Sequence, residues 1–243
     1  MLSVNPSWND EKLFQETRKI VNAEYQHIIY NEYLPNLIGT QLMAIFNLNP
    51  LSSGYQSNYN SQLYPGLFNE FGAAAFRLHP IVHNFVQKAN ANIQSTGLFR
   101  LQNAFWNQPD SWFDLDSNLR GTLLEITYPL NLQLAESLND HLDQNLVKPV
   151  DNFSGQPRSL GAMNIQRGRD HGIPSYNTYR SLCGLTTANT FDDLTNVPAG
   201  NLQILKANYA NVNDIDLFIG GTSEQSVSGG KVGATFACKL FII

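Results

Sequence analysis

The chain contains no uninterrupted apolar run of about 18 residues, so nothing in it reads as a membrane-spanning helix. Positive charge is also scarce. Fifteen lysines and arginines stand against 20 aspartates and glutamates, for a net charge of −5. That balance, without any Lys/Arg-rich run, argues against nucleic acid and against an anionic membrane surface as partners. The first ten residues offer neither a basic stretch nor an apolar stretch of the kind a signal peptide needs, so none is expected within the chain. Internal repeats and low-complexity segments are absent, and strand signals are few. With only two cysteines, Cys183 and Cys238, the sequence leaves the redox compartment open. The sequon Asn152-Phe153-Ser154 carries weight only if the protein is secreted.

What is present suits a mainly α fold. A length of 243 residues allows one large domain or two small ones with a sizeable core. The hydrophobic fraction of 42% and a mean hydropathy of −0.25 are ordinary for a globular protein. Residues 9–33 read as an amphipathic helix, with Leu13, Phe14, Ile20, Val21, Ile28 and Ile29 near one stripe and Pro35 marking its end. Residues 51–65 are polar and read as a loop. A second helix is expected over 66–87, with Phe71, Ala74, Leu78, Val82 and Phe85 on one face and a kink at Pro80. Further helices are expected over 114–125 and 130–147, closed by Pro149 and the turn at 155–157, with short ones at 190–194 and 201–208.

The densest chemistry lies in Ala162-Met163-Asn164-Ile165-Gln166-Arg167-Gly168-Arg169-Asp170-His171-Gly172-Ile173-Pro174-Ser175-Tyr176-Asn177, which runs on to Cys183-Gly184-Leu185. Two arginines, an acid, a histidine and two amides in so short a run each need a defined partner in a folded core. The run resembles the signature of the animal haem peroxidases, where it lies on the proximal side of the haem. The segments Asn5-Pro6-Ser7-Trp8, Tyr33-Leu34-Pro35, Asp214 to Gly221 and Phe236-Ala237-Cys238 are similar to the same family. The resemblance covers residues 1–243 as a partial family domain.

A haem iron held by one protein ligand needs a neutral imidazole whose other nitrogen is hydrogen-bonded. In the family that ligand follows an Ala-Phe-Arg run, matched here by Ala75-Phe76-Arg77-Leu78-His79. The resemblance therefore implies His79 as the iron ligand of haem b and Asn164 as the partner of its other nitrogen. It places Arg77 and Arg167 at the propionates, where guanidinium forks suit carboxylates. One departure stands out. The family places the histidine three residues after the arginine, whereas here the spacing is two, which on an ideal helix swings the side chain about 200° away. The shorter form resembles the Arg-x-His-Ser/Pro run of related fatty-acid oxygenases. His83, four residues beyond His79 on the same helical face, is the rival ligand, and no Cys or His completes a zinc set around the pair.

Arg169, Asp170 and His171 read as a buried ion network shaping the pocket, and His27 and His141 as structural or exposed. The resemblance also implies a disulfide between Cys183 and Cys238, worth roughly 4 kcal/mol by loop closure. Two buried free thiols are the alternative.

The implied reaction is reduction of hydrogen peroxide with oxidation of a halide or small organic donor. The family's distal histidine, its glutamine neighbour, the distal arginine and the calcium loop precede the helix start matched by Asn5 to Trp8. No catalytic residue is therefore assigned in this chain, which is expected to be a fragment inactive on its own, without the calcium site. The family implies an extracellular or secretory setting. Two other readings remain: a non-catalytic remnant that binds haem weakly or mediates an interaction, and an all-α scaffold without haem.

Overall fold

The computed structural model describes residues 2–55, 60–62, 64, 66–106, 114–142 and 158–241. The sequon at 152–154, Pro149, the turn at 155–157 and the end of the helix expected over 130–147 lie outside them. The fold is mainly α as expected, with one two-stranded sheet among the described residues. None of the described helices is long and apolar enough to cross a membrane. Two units emerge: Met1–Pro65 with Val227–Lys231, and Gly66–Ser226 with Val232–Ile243.

In the first unit, α1 spans Asp10–Ile28. The Asn9 side chain caps it by accepting from Lys12 N at 2.9 Å, and Asp10 and Glu11 sit in the first turn, where the helix dipole favours acids. Its apolar stripe stays solvent-facing, with Phe14, Val21 and Tyr25 exposed. The helix does not stop at Pro35. A π-helical turn over Ile29–Tyr33 widens the register, the Leu34 N–H reaches back to Ile29 O, and α2 runs on through Leu34–Ile45. Proline lacks the N–H that a regular turn requires, so it is tolerated in the first turn of α2, just past the bulge. Gly39, at φ 78°, kinks α2 where any Cβ would meet the Ser228 carbonyl. Lys231 N closes this contact by donating to Leu37 O at 2.8 Å.

In the second unit the helix expected over 66–87 is corrected. A π-helical turn covers Phe71–Ala75, a 3₁₀ turn His79–Ile81, and Phe85–Ala89 is strand β1, paired antiparallel with β2 at Ser95–Arg100. Pro80 lies inside the 3₁₀ turn, five residues past the end of the π-helical turn, so there is no continuous helix for it to kink. From there Val82 is extended, and the Phe-Val-Gln-Lys-Ala stretch is satisfied by a partner strand the helical periodicity could not reveal. The hairpin turns on Asn90, whose Oδ1 accepts from Asn92 N and Gln94 N. Across β1 lies α3, Leu115–Thr122, as expected, and it approaches so closely that a Cβ at Gly121 would strike the Gln87 carbonyl.

The leucine-rich stretch from 130 is also corrected, since among its described residues, 130–142, only Glu136–Asn139, α4, is helical. Side chains capture its backbone instead. Asn131 Oδ1 accepts from Gln133 N at 2.6 Å, and Asn84 Oδ1 accepts from Ser137 N at 2.9 Å. The remaining helices are α5 (Leu160–Asp170), α6 (Tyr176–Leu182), α7 (Ala199–Asn208), α8 (Leu217–Ser223) and α9 (Ala234–Phe241). Cys183, at the end of α6, is bonded to Cys238 on α9, as the family resemblance implied.

Candidate functional site

The site begins at the turn Phe71–Ala75, whose Ala73, Ala74 and Ala75 are fully buried against α5, α8 and α9. Three methyl-sized side chains let these elements close on the backbone, which sets the position of the adjoining Arg77, Leu78 and His79. Because this segment is not α-helical, the 200° swing of an ideal helix does not arise, and the two-residue spacing gives no ground for separating Arg77 from His79.

Asn164 projects from the middle of α5, capped by Ser159 Oγ accepting from Ala162 N at 3.2 Å. The asparagine is buried, and its Nδ2 lies 2.8 Å from His79 Nδ1. Nε2 of His79 has no partner among the described residues. The Oδ1 of Asn164 is buried without a hydrogen bond. An amide reversed end for end keeps its shape, and the reversal presents that oxygen to Nδ1–H and leaves a lone pair on Nε2. Burial first, and then the charge of Arg77, hold the His79 imidazole below its ordinary pKa, against the opposing bond to Asn164. A neutral ring with one nitrogen anchored and the other open is what ligation requires.

Arg167 lies one turn beyond Asn164 on the same face of α5. Arg77 is half-buried, donates Nε to Gly72 O at 2.8 Å and is held below its usual pKa by burial and then by the charge of Arg167. Neither arginine has an acidic partner among the described residues. Two neighbouring guanidinium groups without an acidic partner among the described residues have the charge to hold a dianion.

His83, the rival, points elsewhere. Its Nε2 lies 3.0 Å from Ile126 O, its Nδ1 lies 3.0 Å from Glu125 Oε2, and its ring stacks on Tyr128 at 4.2 Å. Both nitrogens are engaged. Arg169, Asp170 and His171 do not form a buried network with one another either. All three are exposed and reach separate partners. Arg169 grips Asp216 through two bonds of 2.9 and 2.8 Å, Asp170 accepts from Gln166, and His171 pairs with Asn69. Burial pushes the Asp216 carboxyl up, but the bonds from Arg169 and Tyr209 outweigh it and hold it below its ordinary value. His27 bonds Asn31 and His141 bonds Glu136, both in structural roles.

The buried charge lies where no sequence pattern signalled it. Glu224, with its side chain fully enclosed, accepts from Tyr176 Oη at 2.7 Å, Asn196 Nδ2 at 2.9 Å, Thr235 Oγ1 at 2.7 Å and Thr235 N at 2.8 Å. Arg180 reaches the same carboxylate at 3.5 Å and bonds Asn196 and Tyr176. This cluster joins α6 to α9 beside the α8 that supports the Phe71–Ala75 turn. Only Tyr176 and Arg180, four apart, could have hinted at it. Nothing local marks Glu224.

Beside it, Lys239 Nζ lies 3.5 Å from Glu70 and over the Tyr179 ring. Burial and then the charge of Glu70 push the Tyr179 hydroxyl up to about 12 from 10.0. A folded value above the unfolded one means this contribution is complete below pH 10 and lost as pH rises through about 12. Stability measured along an alkaline series should begin to fall above pH 10, and Tyr179→Phe should reduce that slope. An unchanged slope would count against the burial of this hydroxyl.

A family model described as animal haem peroxidase matches residues 1–242. The chain is 40% identical over 240 residues to the chorion peroxidase of Drosophila melanogaster, covering 96% of this chain and 28% of that protein. It is 36% identical over 245 residues to peroxidasin of the same organism, covering 98% of this chain and 15% of that protein. Among solved structures, peroxidase A from Dictyostelium discoideum superposes with a TM-score of 0.79 at 29% identity, covering 99% of this chain and 43% of that one. A fatty acid alpha-dioxygenase from Oryza sativa shares the fold alone, with a TM-score of 0.57 at 17% identity over 73% of this chain and 30% of that one. The chain thus spans less than a third of the length of these two curated relatives.

Proposed function

The chain belongs to the animal haem peroxidase family, and on that basis we propose that it forms the proximal face of a haem b pocket in a hydrogen-peroxide-dependent peroxidase. The observation that carries this reading is His79, anchored at Nδ1 by the buried Asn164 and open at Nε2. Nε2 binds the iron. Asn164, through Oδ1, fixes the tautomer and raises the basicity of the ring. The Arg77 and Arg167 guanidinium groups, without acidic partners among the described residues, take the two propionates. Haem, when bound, supplies the iron at which hydrogen peroxide is reduced while a halide or small organic donor is oxidised. These four residues hold and orient that group rather than move the peroxide proton. The bond between Cys183 and Cys238 supports an extracellular or secretory setting, where disulfides persist.

Titrating haem into the chain and into Asn164→Leu tests the reading. The substitution keeps the volume and removes the acceptor, so affinity should fall about 10–100-fold, the usual cost of losing such a partner. Equal affinity with an unchanged circular dichroism spectrum would overturn the role given to Asn164.

A further inference from the structure

The turn that leads to Arg77 is entered at Glu70, and Glu70 is held from a distant part of the chain. Its carboxylate lies 3.5 Å from Lys239 Nζ on α9, with the two side chains only 13% and 9% exposed. The Lys239 ammonium also sits 5.2 Å from the centre of the Tyr179 ring on α6. A cation between a carboxylate and a ring face, with little water around it, is attracted by both. The Cys183–Cys238 bond joins the same two helices beside this contact and keeps Tyr179 and Lys239 in register.

At the far end of the turn, Arg77 donates Nε to Gly72 O at 2.8 Å, two residues after Glu70. That bond takes one edge of the guanidinium and leaves Nη1 and Nη2 without a hydrogen-bond partner among the described residues. The direction of the free fork therefore depends on where the Gly72 carbonyl points. Beyond Gly72, the buried Ala73, Ala74 and Ala75 fix the turn by packing. Before it, two ties act. Asn69 bonds His171 in an exposed position, where water competes for both partners, whereas Glu70 meets Lys239 in an enclosed one.

We infer that Lys239 is a positioning residue for haem: through Glu70 it sets the Gly72 carbonyl, and that carbonyl aims the Arg77 fork at a propionate. This rests on the proposed haem pocket and adds to it a residue that acts only through others. The ammonium matters for its charge, since an apolar side chain of the same length could pack on Tyr179 but could not hold the Glu70 carboxylate.

The test is titration of haem into the full chain, Lys239→Met, Lys239→Arg, Arg77→Leu and Arg77→Leu/Lys239→Met, with urea unfolding of each alongside. Lys239→Met should weaken haem about fivefold or more, part of what a charge-assisted bond supplies. Lys239→Arg keeps a cation over the ring and should stay within about twofold of the unaltered chain. On the Arg77→Leu background, Lys239→Met should change affinity by less than about twofold, because the fork it aims is gone. A loss through general loosening of the fold would instead add to that of Arg77→Leu. Should Lys239→Met unfold once Glu70 is left unpaired, Glu70→Gln/Lys239→Met removes both charges together and should show the same dependence on Arg77. Three results would overturn the inference: equal affinity in Lys239→Met and the unaltered chain, an equal loss with and without Arg77, or a loss in Lys239→Arg as large as in Lys239→Met. An unaltered chain that shows no histidine-ligated Soret band removes the haem pocket and this inference with it. A band that forms whatever stands at 239, at the same affinity, removes this inference alone.

Discussion

Haem added to His79→Ala is expected to show no histidine-ligated Soret shift, whereas His83→Ala retains it. The difference stems from what each ring nitrogen already does. His83 uses both, on a backbone carbonyl and on Glu125, and to bind iron it would have to leave a carboxylate it shares a pocket with. His79 uses one, on Asn164, and burial together with Arg77 keeps its ring neutral at neutral pH, so no proton has to be displaced. Removing the His79 ring leaves the Asn164 amide and the two arginines in place. Added imidazole should then restore part of the shift by filling the vacated volume. A Soret shift that survives His79→Ala and disappears in His83→Ala would transfer the ligand to His83 and leave Asn164 with no role in binding.

The second large effect concerns the fold that holds His79 in position. Glu224→Ala should destabilise the chain by about 3–5 kcal/mol, the cost of stripping the partner from a buried charge. Arg180 would be left enclosed with only neutral acceptors, Tyr176 and Asn196 would each lose a bond, and Thr235 would lose two. Against a typical total of about 5–15 kcal/mol, such a loss removes about a fifth or more of the stability. Glu224→Gln keeps the shape and some of the hydrogen bonds, and should cost less. Urea unfolding of the two variants gives the comparison. A loss below about 1 kcal/mol for Glu224→Ala would mean the cluster is solvated rather than buried.

How much of the fold and the site was legible in the sequence depended on the range of the interactions. The helices at 10–28, 115–122 and 199–208 announce themselves through residue spacing that is local. The signature pointed to Asn164, which the structure pairs with His79, through its polarity and its family resemblance. The segment 66–87 misled, because a stripe at helical spacing is also compatible with two tight turns and a strand, and the choice was made by β2. The pairing of His79 with Asn164, across 85 residues, could be inferred only by resemblance. Glu224 was illegible for a plainer reason. An acid between a serine and a glutamine looks like surface, and only the fold encloses it.

The most direct measurement is the resonance Raman spectrum of the ferrous, haem-loaded chain, read at the iron–histidine stretch. That band should be present in the chain and in His83→Ala, absent in His79→Ala, and displaced in Asn164→Leu, where the ring has lost the acceptor that makes it a stronger donor to iron. A band that persists in His79→Ala, or one that Asn164→Leu leaves unmoved, would contradict the account.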